Sequence, residues 1–496
     1  MSDSQKHLHL TNGRLLAKNT LWNLAGGAPV ALAVFSIPIL IRDLGKDRFG
    51  VLALAWALVG YASFFDVGLG RALTQLAAKK LGAGQEEEIP GLVWTSLLLL
   101  LVVGTTGCVA VAAISPWLVG HELKIPEAIQ TESLWAFYLL AFSIPAVICA
   151  AALRGLLEAH QRFAMVNALK IPLNAFTFVG PLMVLPFSRS LVPVVGILVA
   201  GRYAGLLAHF WMSMKVVPEL RKITWHAPSA KHLLKFGGWM TVSNVIGPLM
   251  LTLDRFFIAA ILSVTAVAYY ATPYELTTKL LLISIAVVGV MFPAFSVSFV
   301  SDGQRAAMLY GRTLKFLFLA LFPIVLVSIV IAKDGLTLWL GADFAQHSTR
   351  VVQWLAVGVL ANSVALVPFS FVQGIGRPDL TAKLHLLELP FYLGLLYWLI
   401  RVDGIEGAAI AWTARTVFDA LALFVTAGRF LPSRPQSAGR TKVLMAAAMA
   451  TLFLAALPHN LLPKVAFLLA TILIFVPVTW FLILTPEERS FARVYR

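Results

Sequence analysis

Long apolar stretches alternate with short polar segments along the whole chain. Apolar runs of about 18 or more residues recur, and each is long enough to cross a roughly 30 Å hydrocarbon core as a helix. The fold class is therefore predicted to be an all-α polytopic membrane protein. The pattern predicts fourteen transmembrane spans, at residues 19–41, 49–70, 91–114, 134–156, 166–187, 191–214, 237–262, 265–290, 313–332, 351–374, 381–400, 404–428, 442–458 and 463–484.

The first six predicted spans are repeated by the next six at an offset of 218 or 219 residues. Trp135 and Gly155 recur at Trp354 and Gly374, and the segment LKIPL recurs as LELPF. Because six spans return the chain to the same side of the membrane, the two units have the same orientation. The repeat predicts two parallel six-helix lobes with a substrate path between them, followed by two C-terminal helices.

Polar segments divide the chain into six predicted parts. The two lobes are joined by the longest link on the inner side, and a second polar break precedes the last two spans. The parts are an N-terminal tail (1–18), an N-lobe (19–214), an inter-lobe linker (215–236), a C-lobe (237–428), the last two spans (429–484) and a C-terminal tail (485–496).

The positive charge of the chain is distributed by side of the membrane. The net charge is +15, and 26 of the 39 Lys and Arg lie in segments or span ends on the side of the N-terminus, against nine on the other side and four inside spans. Basic residues favour the cytoplasmic side, so both termini are predicted to be cytoplasmic. A surface that binds nucleic acid would concentrate its charge in one domain, and no nucleic-acid partner is expected.

The search for catalytic and metal-binding motifs is negative. The chain has no GxxxxGK[ST] phosphate loop, and its histidines lack metal-ligand spacing. Cys108 and Cys149 both lie in predicted spans, which excludes a disulfide framework and a cysteine-based metal site. The longest external loop, near residues 115–133, is too short for the acceptor-binding domain of a membrane glycosyltransferase or polymerase. Transport without hydrolysis, and without a cofactor, is the function expected.

Ionisable residues inside the predicted spans are the candidates for function. A charge at mid-span costs roughly 2.5–3.5 kcal/mol on insertion scales, so each should be paired or face a watery cavity. Nine such residues occur: Asp66, Arg202, Asp254, Arg255, Glu275, Lys279, Glu388, Arg415 and Asp419.

Some of these charges have a local explanation. Two pairs lie four residues apart on one helix face, namely Glu275 with Lys279 and Arg415 with Asp419. Each pair can neutralise itself, so a structural role remains open beside a functional one. His385 lies one turn before Glu388 and can donate a hydrogen bond to it, and a structural role is favoured there.

Arg202, Arg255 and Asp66 have no such explanation. Neither arginine has an acid three or four residues away, so each needs a partner on another helix or an aqueous cavity. Because a guanidinium binds phosphate with a planar fork, a cavity that holds one favours an anionic substrate. A lone carboxylate such as Asp66 can carry a proton or coordinate sodium, which makes it the first choice for a coupling site.

Three segments carry a resemblance to a known family. They are NTLWNLAGGAPVALAVFSIPILIRDLGKDRFGVLALAWAL, FFDVGLGRALTQLAA and LDRFFIAAILSVTAVAYYATPYEL. In these segments the chain resembles the bacterial polysaccharide exporters of the multidrug, oligosaccharidyl-lipid and polysaccharide flippase superfamily. The residues that match the family pattern are Asp66 in FFDVGLG, and Asp254 with Arg255 in LDR.

The resemblance implies both a fold and a function. It implies two six-helix lobes around a central cavity that opens alternately to the two sides of the bacterial inner membrane. It also implies that undecaprenyl-pyrophosphate-linked oligosaccharide units are flipped from the cytoplasmic to the periplasmic leaflet, with coupling to H+ or Na+. The expected partners are this substrate, membrane lipids and the polysaccharide polymerase machinery, and no catalytic role is expected.

Candidate roles follow for the charges inside the spans. Contacts with the anionic substrate are predicted for Arg202, Arg255, Lys279 and Arg415, and ion coupling for Asp66, Asp254, Glu275 and Asp419. Four intramembrane cations stand against five acids, so a multidrug cation antiporter of the same superfamily remains an alternative. A membrane glycosyltransferase or polymerase is a third hypothesis, disfavoured by the short external loops.

Neutral substitutions of Arg202 and Arg255 test the first hypothesis. Replacing either guanidinium by an uncharged side chain is expected to stop export while membrane insertion stays intact, because the head group loses its cationic contact. Export is followed with the glycan at the cell surface, and insertion by membrane fractionation. Normal export in both variants would remove these roles.

Overall fold

The fold is all-helical in a computed structural model that describes residues 31–60, 73–81 with gaps, 85–160, 162–224, 250, 252–301, 303–431, 447–457, 460–486 and 488–489. No strand occurs in these ranges, which confirms the all-α class. The helices are α1 (Ala31–Leu44), α2 (Lys46–Gly60), α3 (Ile89–Trp117), α4 (Glu127–Ala159), α5 (Phe163–Val184), α6 (Leu191–Val216), α7 (Leu253–Ile261), α8 (Val264–Thr278), α9 (Leu281–Ser301), α10 (Gly303–Val330), α11 (Ala332–Leu340), α12 (Ala342–Gly374), α13 (Pro378–Gly428) and α14 (Leu461–Val478).

The described helices agree with the predicted membrane spans. Parts of the spans predicted at 19–41, 49–70, 237–262 and 442–458 lie outside the described residues. Eight helical segments of the described residues are long and apolar enough to cross a membrane, so the chain is a multi-pass membrane protein. Many of their large apolar side chains are exposed, as hydrocarbon-facing surfaces require. The prediction missed α11, because nine residues are too few to register as a span.

The chain folds into two compact units. The first unit comprises Gly26–Thr272 and Leu396–Ile405, and the second comprises Pro273–Leu395 and Glu406–Arg496. The predicted lobes, at 19–214 and 237–428, stay a prediction.

A half-buried carboxylate joins three helices of the first unit. Glu132 on α4 accepts hydrogen bonds from the Ser190 hydroxyl (2.7 Å) and the Leu191 amide (3.2 Å), and it pairs with Arg48 on α2. Ser190 is the residue that caps α6, and its hydroxyl accepts a bond from the Val192 amide. The negative charge of Glu132 thus lies at the positive end of the α6 dipole, where it is stabilised.

Aromatic packing holds the core of the second unit. Phe371 on α12 is fully buried, and its ring lies 5.7 Å from Phe295, 6.0 Å from Phe299 and 5.3 Å from Tyr310. The contacts are edge-on, the geometry that aromatic quadrupoles favour. One side chain of α12 therefore fixes α9 and α10 against it.

Polar contacts between distant residues agree with the predicted alternation of crossings. Each contact joins two residues that the sequence places on the same side of the membrane. On the predicted inner side Lys315 pairs with Glu488, and on the outer side Lys464 pairs with Asp334 at 2.6 Å. The direction of the protein in the membrane stays a prediction.

The predicted span 265–290 is broken near its middle. α8 ends at Thr278 and α9 begins at Leu281. At the break the amides of Lys279 and Leu280 donate to the carbonyls of Leu276 and Thr277, three residues back instead of four. The apolar pattern does not reveal this change in hydrogen bonding.

Helix α13 contains two predicted spans separated at one glycine. Gly404 has a φ of 60° and a ψ of −134°, a left-handed conformation that a side chain would strain. Residues 378–395 and 406–428, named here the first and second arms, contact each other as antiparallel neighbours. The predicted boundary between residues 400 and 404 is therefore confirmed.

Substituting Gly50 tests the packing of α2 on α8. A Cβ at residue 50 would lie 1.9 Å from the Val264 carbonyl oxygen, so Gly50→Ala forces the two backbones apart. The expected cost is about 1–3 kcal/mol, seen as a lower melting temperature in detergent. Gly289→Ala in α9 is the control, because no heavy atom lies within 4 Å of its new Cβ. Equal effects of the two substitutions would contradict the close approach.

Candidate functional site

Four ionisable residues meet between the two arms of α13. His385 and Glu388 lie on the first arm, and Arg415 and Asp419 lie on the second. The spacings of three and four residues place each pair on one helix face. We call these four residues the hairpin cluster, and all of them belong to the second unit.

The cluster is compact and nearly closed to solvent. His385 Nε2 lies 3.7 Å from Asp419 Oδ1, and one ligand atom from each of His385, Glu388 and Asp419 lies within 4.8 Å of the other two. The Arg415 guanidinium carbon is 5.6 Å from the centre of the Tyr392 ring. Glu388 is 3% exposed, and Arg415 and Asp419 are each 9% exposed.

Several polar atoms of the cluster lack a hydrogen bond. Within the described part of the chain, no partner is found for either carboxylate oxygen of Glu388, for Arg415 Nε or for Asp419 Oδ1. A buried polar atom without a partner costs about 1–3 kcal/mol, and more when it is charged. The arrangement therefore gains free energy from any ligand, a proton included, that satisfies these atoms.

The surroundings of the cluster are apolar. The Phe369 ring of α12 stacks on His385, with centroids 5.8 Å apart and planes 15° from parallel. Residues 357–373 of α12 and 447–457 contain no ionisable side chain. α8 meets the second arm where the Tyr274 ring lies 5.7 Å from that of Trp412. Among the described residues, the Tyr392 phenol is a further titratable group beside the cluster.

The cluster differs from the local pair predicted for Arg415 and Asp419. Among the described residues these two side chains form no direct ion pair. Asp419 lies instead against His385 of the other arm, and Arg415 lies against Tyr392. The physical reason is the hairpin, which offers each side chain a partner on the opposite arm.

Charge and ligand chemistry restrict what the cluster could hold. With His385 neutral, two carboxylates and one guanidinium leave one excess negative charge. A proton or a monovalent cation neutralises it, whereas a divalent ion would leave one buried positive charge, which is costly. Sodium, like other hard cations, favours oxygen ligands, whereas an imidazole suits transition metals. An imidazole side chain also titrates near neutral pH. A proton therefore matches both the excess negative charge of the cluster and its mixture of carboxylate and imidazole groups.

The first unit contains a second buried pair, Asp254 and Arg255. Both are at most 3% exposed and lie in the first turn of α7. The Tyr270 hydroxyl donates to Asp254 Oδ2 at 2.6 Å, and the Arg255 amide donates to Oδ1 at 2.8 Å. Asp254 is thus already held by hydrogen bonds from its own unit.

The other predicted residues have different environments. Lys279 Nζ donates to Glu275 Oε2 at 2.8 Å, so the predicted helix-face pair is confirmed. Arg202 lies near the middle of α6, partly exposed, and no hydrogen bond or ion pair of its side chain is found within the described ranges. Asp66 lies outside the described residues. The structure therefore gathers Arg415 and Asp419 into one cluster and pairs Glu275 with Lys279.

Sequence reasoning did not place His385 and Glu388 beside Asp419 of the other arm, and the structural role favoured for Glu388 stays a prediction. A usable signal was present. His385, Glu388 and Tyr392 share one face at spacings of three and four residues, in a span adjacent to the one that carries Arg415 and Asp419. No sequence signal identifies Tyr270 as the donor to Asp254.

The fold and the buried charges define a polytopic helical protein of the transporter type, and comparison gives its family. Residues 16–299 match the family of polysaccharide biosynthesis proteins. A Shigella flexneri protein named "Putative O-antigen transporter" is 32% identical over 409 residues, which cover 82% of this chain and 96% of that protein. The chain belongs to the polysaccharide biosynthesis protein family.

Solved structures share the fold at low sequence identity. The lipid II flippase MurJ, in an inward closed conformation, gives a TM-score of 0.72 at 12% identity and covers 94% of this chain and 99% of its own. An inward-facing multidrug resistance MATE family transporter of the MOP superfamily gives 0.70 at 15% identity, over 81% and 94% of the two chains. These two structures show a shared fold, whereas the resemblance to polysaccharide exporters is confirmed by the family match and the 32% identity.

Removing the hydroxyl of Tyr270 tests the environment of Asp254. Tyr270→Phe leaves a fully buried carboxylate without one donor, and the expected loss is about 1.5–3 kcal/mol of stability, measured by thermal unfolding in detergent. Tyr310→Phe is the matched control, because the buried Tyr310 has no hydrogen bond to a described residue. Equal losses would show that the hydrogen bond to Asp254 contributes little.

Proposed function

We propose that this protein is a flippase for undecaprenyl-pyrophosphate-linked oligosaccharide units. It would move them from the cytoplasmic to the periplasmic leaflet of the bacterial inner membrane by alternating access, with both termini cytoplasmic. The observation that carries the proposal is family membership together with 32% identity, over most of both chains, to the protein named "Putative O-antigen transporter". Membrane lipids and the polysaccharide polymerase machinery are its proposed partners.

Arginine contacts with the head group are part of the proposal. Arg202 supports it most directly, because this partly exposed arginine near the middle of a membrane helix has no acidic partner in the described part of the chain. A charge in that position is costly unless water or an anion approaches it. Pyrophosphate offers oxygen atoms that match the guanidinium fork. Arg255, Lys279 and Arg415 remain proposed contacts of the same kind.

Ion coupling is the second part, and we place it at the hairpin cluster. Asp254 accepts a hydrogen bond from Tyr270, and Glu275 accepts one from Lys279. Glu388 and Asp419 are more deeply buried than Glu275 and keep unsatisfied oxygens. The cluster therefore supports coupling better than these two residues do, while Asp66 remains an additional proposed coupling residue.

The proposed ion is a proton, and the direction of its effect on the conformation follows from the charge of the cluster. Proton uptake neutralises the excess negative charge, and proton loss restores a buried charge that favours water entry between the arms. A conformation that hydrates the cluster is thus favoured by deprotonation, and a conformation that seals it is favoured by protonation. Lower pH on one side therefore drives the protein toward the sealed state of the cluster.

A cation antiporter is the second candidate, favoured by the fold shared with a multidrug resistance transporter. Its substrate is cationic, so a partly exposed Arg202 would repel it. A cationic dye distinguishes the two functions: uptake that competes with the lipid-linked substrate would support the antiporter. Sugar transfer by the purified protein would instead support an enzyme.

Neutralising the carboxylates of the cluster tests the coupling. The purified protein is reconstituted in liposomes with a fluorescent polyprenyl-diphosphate-linked sugar, and flipping is measured with and without a pH gradient. Glu388→Gln and Asp419→Asn are expected to abolish the acceleration by the gradient, which corresponds to roughly 5- to 150-fold for a coupling free energy of about 1–3 kcal/mol. Flipping without a gradient should persist, because Arg202, the head-group contact with the most direct support, lies on α6, outside the cluster.

Asp403→Asn is the matched control, since Asp403 is an exposed acid of the same helix. It should retain the full response to the gradient. Acceleration that survives in both cluster variants would remove the coupling role. Absence of flipping in the wild-type protein would instead overturn the proposed function itself.

A further inference from the structure

A basic cleft opens at the ends of the two arms of α13 that the sequence places on the cytoplasmic side. Its volume is about 410 Å³. We call it the basic cleft, and it is lined by Arg377, Leu380, Lys383, Leu384, Leu387, Thr426, Arg429 and Phe430. Three cations thus surround a space with a leucine-rich wall, and none of these residues belongs to the hairpin cluster.

The cations of the cleft have different partners. Arg377 donates two hydrogen bonds to Asp379, at 3.0 and 3.1 Å, and its guanidinium carbon lies 5.8 Å from the centre of the Phe430 ring. Lys383 Nζ is 3.9 Å from Asp379 and its side chain is 75% exposed. Arg429 is exposed, and its side chain has no partner within the described ranges.

The net charge of the cleft is positive. The hydrogen bonds from Arg377 lower the pKa of Asp379 below its usual range, so this carboxylate is ionised. Three cations and one acid leave a charge of +2. Arg429 and Lys383 are the groups that can turn toward an anion, since Lys383 is largely exposed and its ion pair with Asp379 is long, at 3.9 Å.

Apolar side chains continue from the cleft along the outside of the hairpin. Leu380, Leu384 and Leu387 line the cleft at a spacing that keeps them on one face of the first arm, and Phe391 follows one turn later. Leu387 is 57% exposed and Phe391 is 72% exposed. This face offers acyl chains a path that starts at the cations.

We infer that the basic cleft binds an anionic phospholipid of the cytoplasmic leaflet. Lys383 and Arg429 hold the phosphate, Arg377 lies behind them, and the acyl chains run along Leu387 and Phe391. Charge complementarity selects the acidic head group, since basic pockets at membrane helix ends attract anionic lipids. The inference concerns a surface away from the hairpin cluster and does not depend on the proposed transport.

Lipid retention by the purified full-length protein tests the inference. The probes are dioleoyl phosphatidylglycerol and dioleoyl phosphatidylcholine, and the bound lipid is counted by native mass spectrometry across a titration. The variant Lys383→Gln with Arg429→Gln is expected to bind phosphatidylglycerol more weakly, by about fivefold for each cation removed. Binding of phosphatidylcholine should not change.

Two further variants make the result specific. Lys333→Gln with Arg350→Gln removes two exposed cations on the opposite, predicted outer, side, one in α11 and one in α12, and should leave lipid binding unchanged. Lys383→Arg keeps the charge and should retain the affinity. All the substituted residues are exposed, so the folded state is checked simply by gel filtration and melting temperature.

Three outcomes would overturn the inference. The first is equal affinity of the wild-type protein for the two phospholipids, and the second is an equal loss in the outer-side control. The third is binding of undecaprenyl phosphate, but not of phosphatidylglycerol, that depends on Lys383 and Arg429; the cleft would then belong to the transported lipid. None of these experiments measures transport, so the lipid-binding result would stand even if the proposed transport function were wrong.

Discussion

The hydrocarbon core of a membrane provides no water to solvate a charge, and most features of this protein follow from that constraint. Backbone groups must bond within their own segment, which is why the described residues form helices and no strands. Charged side chains must find partners or a watery space. Lys279 forms an ion pair with Glu275 on one helix face, and Asp254 accepts a hydrogen bond from Tyr270 of a neighbouring helix. In the hairpin cluster several buried polar atoms have no partner among the described residues, which makes the cluster a candidate site for exchange with an ion.

The two arms of α13 show how one backbone feature determines a site. The left-handed conformation of Gly404 separates the arms, and their antiparallel contact brings His385 to Asp419. The same hairpin ends at the basic cleft, where its apolar outer face begins. One helical pair therefore carries an internal site with an excess negative charge and a surface site with an excess positive charge. These opposite signs suit different ligands, a cation or proton inside and an anionic lipid outside.

Family membership and local geometry contribute different parts of the functional argument. The match over residues 16–299 and the similarity to a named O-antigen transporter identify the kind of protein. They do not say which residues act. The environment of each charge supports the proposed roles: Arg202 lacks a partner among the described residues, whereas Asp254 and Glu275 are held by hydrogen bonds. The same distinction separates a residue that can respond to an ion from one that stabilises the fold.

The sequence by itself determined the helical class, most span positions and the break before Gly404, because the apolar pattern reports directly on contact with hydrocarbon. It also identified Glu275 with Lys279, since residues four apart on a helix are neighbours whatever surrounds them. Only the tertiary structure decided the partners of Arg415, Asp419 and Glu388. Local spacing paired Arg415 with Asp419, but the facing arm placed His385 and Tyr392 against them. Contacts between helices depend on how the helices pack together. The periodicity of one helix does not predict which side chains of a neighbouring helix will contact it.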